Sequence, residues 1–338
     1  MSIKRKMVFN AIYRCNAAYI PWQLDVTATI EDILANRYGS DNFLYDCVGC
    51  HLAREKNKRH IMLDGMRHRD IFGIEWQRES AGDIGVVIDS LLKEPTLKDY
   101  KIPKPEFEMV REKCVLLEKN HPNEFRIFEL GFSLFERAWT LRGMENLLTD
   151  FLLEPDFVRD LFENLTQYNL AVIETACEYD IDAIMFGDDW ASQQGLMMGS
   201  ELWRMFIKPS MSLMFAAAKD KGKVVILHSC GNIQEIMGDL IEMGLDVYNT
   251  FQPEVYDIPK FKREFGRDIT IYGGISTQGV LASGTPDEVR ETTLRTMDAL
   301  WEKGGYIVAP THQIPAGTPL DNILSFIETV QNNVTGVE

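Results

Sequence analysis

Long apolar runs are missing from this chain. No stretch approaches the ~20 consecutive apolar residues of a membrane helix, so no membrane role is expected. Basic runs are missing as well. The longest is Lys4-Arg5-Lys6, and 35 Lys and Arg stand against 51 Asp and Glu, for a net charge of −16. Neutralising a phosphate backbone needs the opposite balance, so no nucleic-acid partner is expected. No apolar core of signal-peptide length opens the chain, and the expected location is cytoplasmic. Cysteine is sparse: Cys15, Cys47, Cys50, Cys114, Cys177 and Cys230 are all that occur. In the cytoplasm they are expected reduced, as metal, catalytic or core residues rather than cross-links. Glycine pairs at Gly273-Gly274 and Gly304-Gly305 lack the spacing of a dinucleotide fingerprint, so no nicotinamide or ATP cofactor is indicated.

What is present is an alternation of apolar strand, polar turn and amphipathic helix, clearest in the C-terminal half. Lys223–Leu227, Asp246–Thr250, Ile269–Tyr272 and Tyr306–Ala309 read as strands. Helices are expected over Ile233–Met243, Ile258–Phe265, from the Thr285-Pro286 start to about Glu302, and over Pro319–Gln331. Ala183–Phe186 and Arg126–Leu130 add strands further upstream, and Ala18–Leu24, ending at Asp25, reads as the first. Arg54 to Glu79 looks like a β-rich insertion with turns at Asp64-Gly65 and Phe72-Gly73, followed by mixed loop and helix to residue 125. Alternating strands and helices imply a parallel sheet, either doubly wound or closed into a barrel. Polar residues favour the barrel. Asp188, Asp189, His228, Cys230, Gln252, Thr277 and His312 all fall just after strands, where a barrel builds its chemistry. The 338 residues, 45% hydrophobic, can form one such barrel, which usually needs roughly 250. The expectation is one α/β domain over 1–338, a (β/α)₈ barrel with an N-terminal insertion.

His228 and Cys230 alternate at a strand end and so share a face. A neutral imidazole and a thiolate suit zinc, although His-x-Cys alone is a weak signal. His312 follows the last strand and reads either as a third ligand or as an ordinary loop histidine. Three ligands and an open position would make a catalytic zinc rather than a structural one. One thiolate and two neutral imidazoles around Zn²⁺ leave a net charge of +1 (+2 − 1), a stronger Lewis acid than a two-thiolate site.

Asp188 and Asp189 are candidate catalytic groups that orient or protonate substrate, or else an N-cap and a solvated acid. Asp25, Trp190, Gln252 and Glu129 are candidate substrate contacts. Glu129 lies within an apolar strand, where a carboxylate needs a partner or a raised pKa. Trp190, Trp139, Trp203 and Phe251 suit a core as well as a platform, and Met197-Met198 suits packing. Cys47-Val48-Gly49-Cys50-His51 matches the haem c attachment pattern. Without an export signal it reads better as two core or loop cysteines, with His51 able to face the pocket.

The segments 186–209 (FGDDWASQQGLMMGSELWRMFIKP), 228–249 (HSCGNIQEIMGDLIEMGLDVYN), 272–289 (YGGISTQGVLASGTPDEV) and 304–323 (GGYIVAPTHQIPAGTPLDNI) resemble the uroporphyrinogen decarboxylase superfamily. They are most similar to its corrinoid-dependent methyltransferase branch. The resemblance implies a (β/α)₈ barrel, zinc held by a His-x-Cys pair and a later Cys, and a separate corrinoid protein that presents its cobalt. His228 and Cys230 match the pair, while His312 stands where the later Cys falls. The decarboxylases resemble the chain less: their N-terminal arginine motif is replaced by Tyr19-Ile20-Pro21-Trp22-Gln23-Leu24-Asp25. The expected function is therefore zinc-dependent methyl transfer between a small molecule and corrinoid cobalt, with a methyl ether such as a methoxylated aromatic as favoured donor. Metal-free decarboxylation of a porphyrinogen is the alternative, and a non-enzymatic partner-binding barrel a third reading. Expected partners are the corrinoid protein, the small molecule and a second copy of the chain as a homodimer.

Overall fold

The structure is a computed structural model that describes residues 1–78 and 85–335. Glu79, the expected end of the insertion, lies outside the described residues. Contacts divide the chain into two compact units. One comprises Met1–Ala53, His121–Arg126 and Asp246–Glu338, the other Arg54–Asn120 and Ile127–Leu245.

Seven strands carry the fold: β1 (Leu52–Lys56), β2 (Phe125–Phe132), β3 (Ala183–Gly187), β4 (Val224–His228), β5 (Val247–Phe251), β6 (Thr270–Ile275) and β7 (Tyr306–Pro310). They belong to one sheet, whose strand order is the chain order. A doubly wound sheet reverses its order at a switch point, and none occurs here. In the second unit β2, β3 and β4 pair in parallel. In the first, β5, β6 and β7 do the same. Strands β3, β5, β6 and β7 are buried at every position, so none alternates between a buried and an exposed face, even where β5 carries Asn249 and Thr250.

The expected strand Ala18–Leu24 is not a regular strand. Pro21 has no N–H to give to a ladder, and only isolated parallel bridges form, Trp22 to Val308 and Val26 to Ile314. The segment still holds a strand position in the first unit. Gln23 N donates to Val308 O at 3.0 Å, and His51 N, just before β1, donates to Trp22 O at 3.0 Å. With it the winding is that of a (β/α)₈ barrel.

The helices follow their sequence signals. Pro155–Ala176 starts on a proline and buries Val158, Leu161, Phe162, Leu165, Val172 and Ile173 along one stripe. Pro286–Leu300 has the reciprocal capping box of Thr285 and Glu288 and ends two residues before the expected Glu302. Ile233–Met243 begins with a 3₁₀ turn at Gln234–Ile236 before the helix Met237–Glu242. The insertion is β-rich as expected: His60–Met62, Arg67–Asp70, Glu75–Gln77 and Val86–Val87 form an antiparallel sheet. Its first turn is fixed by Asp64 Oδ1, which accepts from Met66 N and Arg67 N. Among the described residues no helix is long and apolar enough to cross a membrane.

Candidate metal centre

β4 ends at His228, and the chain turns at once through Ser229-Cys230-Gly231. Cys230 Sγ lies 3.7 Å from His228 Nε2. The turn is built for that approach. Gly231 has φ +82°, and a Cβ there would lie 2.4 Å from Ala191 O. Only glycine meets both conditions. Asn232 N then donates to Ser192 O at 2.8 Å, and Cys230 N to Asp189 Oδ1 at 2.8 Å.

His312 lies two residues beyond β7 and is exposed. The ligand atoms of His228, Cys230 and His312 all lie within 4.8 Å of one another. Tetrahedral zinc, with bonds of ~2.05 Å to nitrogen and ~2.3 Å to sulfur, places those atoms about 3.6 Å apart. The observed 3.7 Å between His228 and Cys230 fits this, and two nitrogens with one sulfur is a set zinc accepts.

Asp188 and Asp189 have separate fates. Asp188 is fully buried. Its carboxylate accepts from Phe135 N at 2.9 Å, Glu136 N at 2.7 Å, Leu134 N at 3.4 Å and Trp190 Nε1 at 2.7 Å. It caps the helix Phe135–Arg142 from across the chain, since Leu134 at the N-cap has no oxygen to offer. Asp189 instead supports the Cys230 turn.

Glu136 was not anticipated. It is buried, and burial first, then the neighbouring charges of Asp189 and Asp188, push its carboxyl well above the usual carboxylate range. Burial, Asp189 and Glu136 likewise push the Cys230 thiol up. So much acid around one thiol favours a cation, whose charge would stabilise the thiolate. A carboxyl raised on folding binds its proton more tightly in the native state, so stability falls as pH climbs from the ordinary glutamate value through the raised one. In metal-free protein, Glu136→Gln should flatten that fall relative to wild type, read as the urea midpoint against pH. Parallel curves would refute the assignment.

Glu129 has the partners a buried carboxylate needs. Lys56 Nζ lies 3.0 Å away and Arg54 NH1 4.0 Å. Burial raises its carboxyl, but Lys56 and Arg54 together outweigh that and hold it below the usual value. Trp190 is fully buried and packs edge-on against Trp203 at 5.4 Å, which makes it a wedge behind Asp188. Asp25 lies half-buried beside Gln23, and Gln252 half-buried in the turn after β5. Cys50 is buried, with its thiol pushed up to about 12 by burial. His51 is buried against Trp22 and Tyr19, and burial lowers its ring to about 3.

The winding, with polar groups gathered where parallel strands end, defines a (β/α)₈-barrel protein of the kind that does its chemistry at the C-terminal mouth. The match is more specific than the fold class. The chain belongs to the uroporphyrinogen decarboxylase (URO-D) family, whose pattern covers residues 70–333. It is 23% identical over 211 residues to a methylated-thiol–coenzyme M methyltransferase of Methanosarcina mazei, covering 62% of this chain and 54% of that one. It is 23% identical over 239 residues to a methylcobamide:CoM methyltransferase of Methanosarcina acetivorans, covering 70% and 67%. A uroporphyrinogen decarboxylase of Coxiella burnetii is 21% identical over 182 residues, covering 53% and 48%. The chain thus spans about half the length of the first and third of these relatives. A solved methyltransferase from Methanosarcina mazei superposes with a TM-score of 0.76 at 16% identity, over 98% of this chain and 99% of that one, which shows the shared fold.

Proposed function

We propose that residues 1–338 act as one cytoplasmic domain that moves a methyl group between a small molecule and the cobalt of a separate corrinoid protein. His228, Cys230 and His312 hold zinc. The observation that carries this reading is the gathering of one sulfur and two imidazole ligands within 4.8 Å at the strand ends. It gains weight from similarity to a methylcobamide:CoM methyltransferase. When bound, zinc supplies Lewis acidity to a heteroatom of the substrate.

The chain's own residues do the rest. Asp189 fixes the Cys230 turn through its backbone N–H. Asp188 and Trp190 position the helix that carries Glu136. Glu136 keeps a proton on its carboxyl where an ordinary glutamate would have lost it. Gln252, Asp25 and Glu129 are assigned to the small molecule, and a second copy of the chain completes a homodimer. The net +1 ligand set favours an ether oxygen over a thiol, so the donor is a methyl ether such as a methoxylated aromatic.

Purified protein, free cob(I)alamin and 4-methoxybenzoate should together give methylcobalamin, seen by its absorbance, and the free phenol. Transfer from a methylated thiol but not from the ether would keep methyl transfer and remove the ether donor. Transfer from neither, with decarboxylation of a porphyrinogen by metal-free protein, would replace this reading with the decarboxylase one.

A further inference from the structure

The chain carries a net charge of −16, yet one part of it is strongly cationic. Lys56 closes β1. Lys58 follows in the loop, its N–H donating to Lys56 O at 2.8 Å, and Asn57 N donates to Glu129 O at 2.7 Å. The Glu129 carboxylate takes Lys56 and Arg54. Across the insertion, Arg78 NH2 donates to His60 Nδ1 at 3.3 Å. Among the described residues, Arg54, Lys56, Lys58 and Arg78 are four cations in this part of the fold beside the one carboxylate of Glu129, a local sum of +3 (+4 − 1). Two neighbouring pairs, Lys113 with Glu55 and Arg137 with Asp70, are each already neutral.

His60 accepts from Arg78, so its ring is neutral with the proton on Nε2. His68 lies 4.1 Å from it, centroid to centroid, and is fully buried. Both ring nitrogens of His68, and Arg78 Nε, are buried without a hydrogen-bond partner. A neutral imidazole keeps one N–H and a guanidinium never accepts, so among the described residues His68 and Arg78 Nε together leave two buried N–H donors without an acceptor, and an oxyanion is the acceptor that the surrounding cations favour. Burial first, then the charge of Lys56, and further Arg78 and Lys113, outweigh Glu129 and hold the Lys58 ammonium below its usual value.

We infer that Lys58 and Arg78, backed by His60 and His68, seat an oxyanion of the methyl-bearing substrate: a carboxylate, sulfonate or phosphate. The assignment to that substrate rests on the methyl-transfer reading. It is placed there by Glu129, which bonds Lys56 and stands on β2, in the same run of parallel strands as β4 with its terminal His228. The seat itself rests on the cluster.

The test is calorimetric titration of wild type, Arg78→Gln and Lys58→Gln with 4-methoxybenzoate, uncharged 4-methoxybenzyl alcohol and sulfate. Lys58→Gln changes a residue of the loop after β1, outside the strands of the insertion, and guards against misfolding of the Arg78 variant. Wild type should bind 4-methoxybenzoate in competition with sulfate. Each variant should weaken 4-methoxybenzoate by about tenfold or more, as the loss of a charge-assisted bond implies, and leave the alcohol unchanged. Sulfate binding alone, weakened by both variants, would support the seat and move the substrate from carboxylate to sulfonate or phosphate. Binding of neither anion, or variants that bind like wild type, would overturn it. Anion binding that needs Lys58 and Arg78 without any methylcobalamin formation would remove methyl transfer and leave the seat. Ether demethylation indifferent to both residues would do the reverse.

Discussion

Cys230→Ser should lose its zinc and at least a hundredfold of methyl transfer while keeping its fold. A neutral hydroxyl replaces the one thiolate of the set, and even changes behind a metal's direct ligands cost 10–100-fold. The fold survives because the turn is held by backbone groups. Cys230 N still donates to Asp189 and Asn232 N to Ser192 O, and Gly231 still fits under Ala191. The measurements are zinc per chain by elemental analysis, methylcobalamin absorbance, and thermal unfolding by circular dichroism. Wild type should carry about one zinc. Full activity in zinc-free Cys230→Ser would end the zinc scheme, and an unfolded variant would show that the thiol supports the turn itself.

Asp188→Asn should cost about 3 kcal/mol of stability. Burial pushes the Asp188 carboxyl up to about 6 despite its four donors, so at neutral pH it is still an anion. Hydrogen bonds to a charged group contribute ~1.5–3 kcal/mol each before compensation. An amide offers one oxygen and turns an NH₂ toward donors, leaving at least one backbone N–H of 134–136 or the Trp190 indole unsatisfied. Urea unfolding at pH 7 reads the loss directly. An unchanged midpoint would show that the cap is dispensable. Because the helix it holds carries Glu136, activity should fall with stability, but zinc content should remain.

The barrel was legible because its evidence is local. β3, β4 and β7 are short apolar runs that end on or just before polar residues, and Thr285-Pro286 with Glu288 announces a helix that starts where it should. Pro21 shows where that logic fails. An apolar run predicts a strand, but a residue without an N–H leaves bridges only. The site divides in the same way. His228 and Cys230 are two residues apart, so strand geometry predicts that they meet. The roles of Asp188 and Asp189 could not be separated, because which one faces the helix start depends on residues over fifty positions away. Glu136 carried a readable signal. It follows β2 by four residues, where His312 follows β7 by two, and the rule that singled out acids after strands extends to it. The His60, His68 and Arg78 cluster carried none, since it exists only once antiparallel strands bring Met62 beside His68.

The cap supplied by Asp188 also sets an order of events during synthesis. Its partners Phe135 and Glu136 leave the ribosome 53 and 52 residues earlier. Until β3 arrives beside β2, the first amides of that helix have only water to bond, and Glu136 has no carboxylate neighbour to keep its proton in place. The acidic side of the candidate metal centre is therefore assembled from the strand that follows it, and a nascent chain truncated before residue 188 contains Glu136 without the environment that gives it its character.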